Sequence, residues 1–379
     1  MADIEAVQGD YPRLTGAGKD STLVADEPGL RSRGRSVLAC DAKPRCATLT
    51  AEEPTVQAGR RKHVYRVQGL AVLTPLLSAI GCATNGTPQR IEAWTEAWSE
   101  EGLTGRRLVT DHFEIITTLR DAQFEAALPD FLEAAYKRYV GTIAPPEDVE
   151  SKLTMYVFNT RSEWARFARR RFPARYNVYS RIRSGGFTEG DASVLFYVSR
   201  GATLATLAHE GWHQYIGSRF DAPIPAWLDE GLACYHEAVE FAGSVPRFTP
   251  QRNTLRINSL REAVQTGGDM SLREIIDTDA GRIIIRYHSG ITQMYYAQAW
   301  AVVTFLRHGA GGRFAAAFDQ MLDDIADGTF SVRVSAAGLG VVDGSHLSFG
   351  EAAFHAYFDQ RPEELSEEYY DHLVRVAGF

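Results

Sequence analysis

The sequence predicts an α+β fold, in which a small mixed sheet with helices is followed by a mainly helical C-terminal half. Before residue 200, short apolar runs alternate like strands between helical segments, and after it a helical periodicity dominates. The chain has 379 residues, of which 45% are hydrophobic and 23% charged, enough for one large or two medium domains. Its formal net charge of -8 excludes the strongly basic class of nucleic-acid-binding proteins.

The first 55 residues differ in composition from the rest of the chain. They contain a single aromatic residue, Tyr11, and show neither strand nor helix periodicity, which predicts disorder for residues 1–55. An export signal follows this segment, although such signals belong at an N-terminus. Our hypothesis is therefore that the start of translation is assigned too far upstream, and that Val56 or Val64 is the true start.

Residues 56–82 have the features of a secretory signal. A basic cluster at 60–66 precedes the uncharged run Leu70–Gly81, and Cys82 follows directly. The segment resembles a bacterial lipobox, which implies that Cys82 is lipidated and becomes the mature N-terminus. The alternative is a buried core helix, which Pro75 and the basic flank disfavour. We therefore expect an exported protein that is anchored to the bacterial cell envelope by lipid alone.

The mature chain would then consist of three parts. Residues 83–104 are largely polar and predict a linker, 105–200 a sheet-containing subdomain, and 201–379 a helical subdomain. Strands are predicted at 112–118 and 153–158, and as a pair, 177–184 with 192–199, around a Gly185-Gly186 turn. Helices are predicted at 122–140, 161–171, 202–216, 225–240, 291–308, 311–325, 348–358 and 362–376.

The segment most informative about chemistry begins the helical half. His209 and His213 are four residues apart, so a helix places them on one face, one turn from each other. Two imidazoles at this spacing can bind one Zn²⁺, and Glu210 beside them can act as general base on a metal-activated water. The sequence His-Glu-Gly-Trp-His is the HExxH motif of zinc peptidases. The structural alternative is two ordinary helix histidines with a glutamate between them.

A zinc enzyme of this kind needs a third protein ligand. Pro225 begins the next predicted helix, and two acidic residues, Asp229 and Glu230, lie in its early turns. Either carboxylate could face back towards the histidines, so the residues by themselves leave both as candidates.

The stretch Trp-Leu-Asp-Glu-Gly-Leu-Ala, residues 227–233, is similar to the third-ligand motif of the gluzincin metallopeptidases. The chain most resembles the compact bacterial "peptidase MA-like" proteins of that clan. The resemblance implies a zincin-like (thermolysin/gluzincin) fold, Glu230 as third zinc ligand beside His209 and His213, and Glu210 as catalytic base. The metzincin pattern, by contrast, fails because Ile216 and Arg219 stand where it needs Gly and His.

Further downstream, residues 296–306 resemble the helix that follows the third ligand in zinc aminopeptidases. The resemblance implies that Tyr296 donates its hydroxyl to the oxyanion, whereas the structural alternative makes Tyr295 and Tyr296 core aromatic residues. The aminopeptidase motif that binds a substrate's free amine is missing, and Glu189 in the corresponding region does not match it. Endopeptidase and exopeptidase action are therefore both open.

Two classes of function follow from these features. The first is a zinc-dependent peptidase that hydrolyses peptide bonds in peptide or protein substrates at the cell envelope. The second is a non-catalytic exported interaction module that retains the fold. The complete set of three ligands and a base favours the peptidase. Cys234, four residues after Glu230, is interpreted as a buried structural thiol.

Overall fold

The computed structural model describes residues 91–147, 150–278, 283, 289–337 and 347–379. Six strands form one sheet: β1 (Trp94–Glu100), β2 (Leu103–Val109), β3 (Phe113–Thr117), β4 (Leu153–Phe158), β5 (Gly186–Glu189) and β6 (Ala192–Phe196). Their spatial order is β1-β2-β3-β4-β6-β5. The β3–β4 and β4–β6 pairs are parallel and the other three pairs antiparallel. The sheet is therefore mixed, as predicted.

Helices cover both faces of the sheet. These are α1 (Ala122–Glu125), α2 (Leu128–Val140), α3 (Arg161–Arg171), α4 (Tyr176–Tyr179) and α5 (Arg200–Arg219). Strand β6 is buried along its whole length, and its residues alternate between the two faces. Leu195 belongs to the core shared with α2 and α5, while Val194 and Phe196 pack with Trp164 of α3. Strand β6 thus packs against α5 on one face and against α3 on the other.

The rest of the described chain is mainly helical, as predicted. It contains α6 (Ala226–His236), a hairpin of β7 (Val239–Ala242) and β8 (Val245–Phe248), α7 (Thr254–Thr266), α8 (Leu272–Asp277), α9 (Ser289–His308), α10 (Ala315–Ala326), α11 (Phe330–Ala336), α12 (Phe349–Phe358) and α13 (Ser366–Ala377). Short 3-10 helices occur at Pro250–Arg252, Ala310–Gly312 and Pro362–Leu365. Helix α9 is the centre of this half, since Tyr295 and Trp300 are fully buried in its core.

Several predicted helices have different bounds in the structure. The predicted helix 122–140 is divided into α1 and α2. Pro129 has no N–H and therefore cannot donate the helical hydrogen bond to the carbonyl of residue 125. The predicted helix 225–240 ends at His236, and β7 follows. No helix is predicted at 254–266, where the structure has α7.

The predicted strand at 192–199 is confirmed as β6, but its predicted partner at 177–184 and the turn at Gly185-Gly186 are wrong. Residues 176–179 form the short helix α4, and the hairpin turn lies at Gly190-Asp191 between β5 and β6. Gly190 takes the left-handed conformation that this turn needs, with φ at +61°. Gly186 is instead a strand residue paired with Leu195, and a larger residue would not fit there, because a Cβ would lie 2.7 Å from Leu195 Cβ.

The predicted linker also extends too far. Residues 94–104 form β1 and the start of β2, so they belong to the sheet. Strand β1 lies at the sheet edge with Trp94 59% exposed, and it therefore lacks the buried alternation that identifies a strand in sequence.

The predicted disordered segment 1–55, the signal at 56–82 and Cys82 lie outside the described residues. Within those that are described, no helix is long and apolar enough to cross a membrane.

Candidate metal centre

Helix α5 carries the HExxH motif. It begins after Ser199, whose side chain caps the Ala202 N–H, and continues without interruption to Arg219. The segment around the motif is buried between the sheet and the helical half, including Leu207, Trp212 and Tyr215. The helical spacing brings the rings of His209 and His213 to a centroid distance of 4.8 Å.

Helix α6 supplies the third member of the cluster. It begins after Pro225, and Glu230 lies in its second turn, facing α5. The Nε2 atoms of His209 and His213 are 3.2 Å apart, and Glu230 Oε2 lies 3.3 Å from each of them. The three atoms form a nearly equilateral triangle.

This triangle has the dimensions of one face of a zinc coordination tetrahedron. Metal–ligand bonds of about 2.0–2.1 Å place the ligand atoms of a tetrahedral site about 3.3–3.4 Å apart. Glu230 Oε2 is buried and has no hydrogen-bond partner among the described residues. Because a buried carboxylate oxygen needs a donor or a cation, the donor set fits a Zn²⁺ ion.

The electrostatics of the cluster also favour a cation at its centre. Burial lowers the pKa of His209 and His213, but neighbouring groups, Glu230 among them, outweigh burial and raise both values well above the ordinary imidazole value. Burial raises the pKa of Glu230, yet the two histidines hold it well below its usual range. The site therefore stabilises positive charge between these three side chains.

Each histidine presents its other ring nitrogen to a second carboxylate. His213 Nδ1 lies 3.1 Å from Asp229 Oδ2, and His209 Nδ1 lies 2.9 Å from Glu237 Oε1. Asp229, the alternative third ligand in sequence, also accepts a hydrogen bond from Trp212 Nε1 at 2.9 Å. Asp229 thus lies behind His213, while Glu230 lies between the histidines.

Glu210 points from α5 towards β5. Its Oε2 accepts a hydrogen bond of 2.8 Å from the Thr188 hydroxyl. Its main-chain oxygen lies 3.0 Å from the Thr188 hydroxyl and 3.1 Å from that of Ser193. The carboxylate of the predicted base is therefore held by the neutral hydroxyl of Thr188, and its main-chain oxygen lies against two hydroxyls of the β5–β6 hairpin.

Tyr296 lies on α9 with its ring centroid 5.5 Å from that of His209. Burial, with the nearby carboxylates of Glu230 and Glu210, raises its pKa well above the usual range, so the hydroxyl remains a proton donor. Its neighbour Tyr295 is fully buried and donates to the Thr278 carbonyl at 3.0 Å. The structure thus places Tyr295 in the core and Tyr296 at the candidate site.

Gly231 allows α9 to approach α6 this closely. A Cβ at this position would lie 2.6 Å from the Ala299 carbonyl oxygen and 2.6 Å from Val303 Cγ2. Only glycine permits this packing, and it brings the helix that carries Tyr296 next to the helix that carries Glu230. The glycine after Glu230 in the sequence motif therefore has a packing reason.

Of the two further residues named in the sequence analysis, Cys234 lies beside the cluster and Glu189 does not. Cys234 is fully buried, its Sγ lies 3.8 Å from His209 Nδ1, and burial raises its pKa, as expected for an unreactive thiol. Glu189 accepts a hydrogen bond from the Tyr179 hydroxyl and lies 4.0 Å from Arg175 Nη1. It points to the sheet face opposite Thr188, away from the candidate site.

Sequence reasoning missed three residues around the cluster: Glu237 contacts His209, Arg256 pairs with Glu237, and Thr188 donates to Glu210. Glu237 lies seven residues, or two helical turns, after Glu230, a spacing that indicates the same helix face. Thr188 and Arg256 have no such local signal, because they reach α5 through sheet packing and through α7.

The comparison with protein families matches the part of the chain that builds this centre. Residues 203–323 are similar to the family described as "Protein of unknown function (DUF1570)". The matched segment includes both histidines, Glu230 and Tyr296. No curated protein and no solved structure matches the chain.

Proposed function

We propose that this protein is a zinc-dependent peptidase with a zincin-like fold, in which His209, His213 and Glu230 bind the metal. The observation that carries the proposal is the buried triangle of two imidazole nitrogens and a carboxylate oxygen, with edges of 3.2–3.3 Å. The family resemblance of the HExxH and Trp-Leu-Asp-Glu-Gly-Leu-Ala segments supports it.

The chain supplies the groups that peptide hydrolysis requires. Zn²⁺, when bound, would polarise a water molecule and the carbonyl of the scissile bond. Glu210 would act as general base, taking a proton from the attacking water and passing it to the leaving amine. The Tyr296 hydroxyl would donate a hydrogen bond to the developing oxyanion.

The sheet offers a binding surface for an extended substrate. Strand β5 ends the sheet, and no other described strand pairs with its outer edge. An unpaired edge can bind an extended peptide through main-chain hydrogen bonds. Because Thr188 of β5 also contacts Glu210, a peptide on this edge would pass the candidate base.

The placement of the carboxylates favours cleavage within a chain. Among the described residues, Asp229 is engaged with His213 and Trp212, Glu237 with His209, and Glu189 with Tyr179. Glu210 and Glu230 have the roles of base and ligand. Glu189, in the region that corresponds to the amine-binding motif of the aminopeptidases, points away from the candidate site, so we expect internal cleavage.

We further propose, from the sequence alone, that the protein is exported and anchored through a lipid on Cys82. Metabolic labelling with a fatty-acid analogue should mark the wild type and not Cys82→Ser. A wild-type protein found in the cytosol would contradict this part of the proposal.

The test of the activity is a peptide-library digest with wild type and Glu210→Gln, each zinc-loaded and verified by metal analysis. The library contains the same peptides with free and with acetylated N-termini. Wild type should cut both forms at the same internal bonds, and Glu210→Gln should cut neither, because it lacks the base. A zinc-loaded wild type that cuts no peptide would favour the non-catalytic envelope module. Cleavage restricted to free N-termini would exclude the endopeptidase assignment.

A further inference from the structure

A buried ion pair lies behind His209. Glu237 follows α6, and Arg256 lies in the first turn of α7, with both side chains at most 6% exposed. Arg256 donates from Nε to Glu237 Oε2 at 2.8 Å and from Nη2 to Oε1. Asn253 adds a third donor, with its Nδ2 2.9 Å from Glu237 Oε2. Three hydrogen bonds therefore fix the Glu237 carboxylate.

This arrangement determines which nitrogen of His209 is available. Glu237 is ionised by its pairing with Arg256, and an ionised carboxylate can only accept hydrogen bonds. His209 Nδ1, 2.9 Å from Glu237 Oε1, must therefore carry a proton, so that in the neutral ring the Nε2 lone pair is directed at the cluster with His213 and Glu230. The partner of His213 is held differently, since Asp229 is 29% exposed and its other partner is the neutral indole of Trp212.

Arg256 also contacts the other side of the site. Its guanidinium carbon lies 5.2 Å from the centroid of the Tyr296 ring, and its Nη1 donates to Gln293 Oε1 at 2.9 Å. Gln293 and Tyr296 lie three residues apart on α9, on the same face of the helix. One guanidinium group thus joins α6, which carries Glu230 and precedes Glu237, to the helix that carries Tyr296.

Fold stability does not account for this pair. A fully buried ion pair loses so much hydration that it adds little net stability compared with apolar side chains of similar size. The planar fork of arginine does, however, fix the orientation of a carboxylate and of an aromatic ring at the same time.

We propose that Glu237 and Arg256 are positioning residues. Glu237 sets the tautomer and orientation of His209, and Arg256 orients Glu237 and the Tyr296 ring together. The inference rests on the proposed function, because it assigns these two residues to the zinc ligand and the oxyanion donor.

The test uses Glu237→Gln, which keeps the side-chain shape without the charge, and Arg256→Lys, which keeps the charge without the fork. Zinc affinity is measured by competition with a chromogenic chelator. Both variants should bind zinc about 10- to 100-fold more weakly than wild type, as for other second-layer partners of zinc histidines. The matched controls are Glu240→Gln on exposed β7 and Arg261→Lys on α7. The Arg261 side chain donates to the Ala377 carbonyl, away from the cluster. Both controls should bind zinc with wild-type affinity.

A second readout separates positioning from a structural role. With Co²⁺ in place of zinc and at saturation, Glu237→Gln should shift the visible absorption bands, because the donor strength of His209 changes, while the controls keep the wild-type spectrum. At saturating zinc, Arg256→Lys should lower kcat more than Glu237→Gln does, since only Arg256 contacts Tyr296. In a Tyr296→Phe background, the same Arg256→Lys change should lower kcat by a smaller factor, because the hydroxyl that Arg256 positions is already absent.

The outcomes distinguish this inference from the proposed function. A wild type that binds no zinc overturns both. A wild type that binds zinc, with zinc affinity and cobalt spectrum unchanged in Glu237→Gln, overturns the inference alone. If Arg256→Lys does not fold, the Glu237→Gln affinity and spectrum still decide the role of the pair. A wild type that binds zinc but cuts nothing overturns the peptidase, and the affinity and spectrum still test the positioning.

Discussion

The sheet and the helical half contact α5 with chemically different groups. From the sheet, the hydroxyl of Thr188 contacts the carboxylate of Glu210, the residue proposed to exchange a proton. From the helical half, the ionised Glu237 and Arg256 hold His209, the residue proposed to bind metal. A neutral hydroxyl can adjust to either charge state of a carboxylate, whereas a buried ion pair fixes one geometry. The comparison indicates that α5 has an adaptable side and a rigid side.

The largest effect should come from removing a ligand on the helical side. Glu230→Gln keeps the shape of the side chain but removes its charge from the triangle, so zinc content should fall from about one ion per chain to near zero. His213→Ala should have the same result. Elemental analysis of dialysed protein measures both, with Glu240→Gln on exposed β7 as the matched control. Full zinc occupancy in Glu230→Gln and His213→Ala would refute the ligand assignment.

The next effect concerns Tyr296, which belongs to the helical side but contacts substrate in our proposal. Tyr296→Phe should lower kcat by about 10²–10³ while zinc content stays at the wild-type level, because one oxyanion donor is lost. The control is Tyr295→Phe, whose hydroxyl is bonded to Thr278 in the core. It should keep kcat within a few-fold of wild type. Equal losses in the two variants would make Tyr296 a core residue.

A smaller effect is expected on the sheet side. Thr188→Val removes the hydroxyl that holds Glu210 and leaves the strand side chain the same size, so kcat/KM should fall about tenfold with zinc content unchanged. Thr206→Val is the matched control, since that hydroxyl bonds to the Ala202 carbonyl within α5. A loss of zinc in Thr188→Val would show that the sheet side also positions the metal ligands.

The smallest effect concerns the stability of the helical side at low pH. Burial lowers the pKa of His236 well below its ordinary value, and the ring lies between Tyr139 and Trp212 without a hydrogen-bond partner among the described residues. The unfolded chain therefore binds a proton that the folded chain does not. The stabilisation is complete above the unfolded value near 6.5 and is lost as the pH falls below it.

Urea unfolding of the metal-free protein between pH 7 and pH 5 measures this dependence. Below about pH 6.5, wild type should lose about 1.4 kcal/mol per pH unit more than His236→Phe, in which the ring is kept without the titrating group. Parallel stability curves for the two proteins would show that His236 takes up no proton on unfolding.

Local sequence signals account for part of this structure. The HExxH spacing and Pro225 were sufficient to predict two helices with His209, His213 and Glu230 on them, because each signal acts within one or two helical turns. The strand at 153–158 was also predicted from a local signal, the alternation of its side chains along the strand. The position of the hairpin turn was not, since local sequence does not distinguish Gly185-Gly186 from Gly190-Asp191, whereas the pairing of Gly186 with Leu195 in the sheet does.

What the sequence by itself determined, then, is that two histidines and an adjacent glutamate lie along one helix, with a carboxylate pair on the next. Only the tertiary structure decided which member of that pair faces the histidines. Asp229 and Glu230 point about 100° apart around α6, so the choice depends on how α6 packs against α5. Tyr296, Thr188 and Arg256 come from distant parts of the chain and reach α5 only through the packing of α9, β5 and α7. No local periodicity specifies such contacts, because they depend on shapes such as the absent side chain of Gly231, which lets α9 lie against α6.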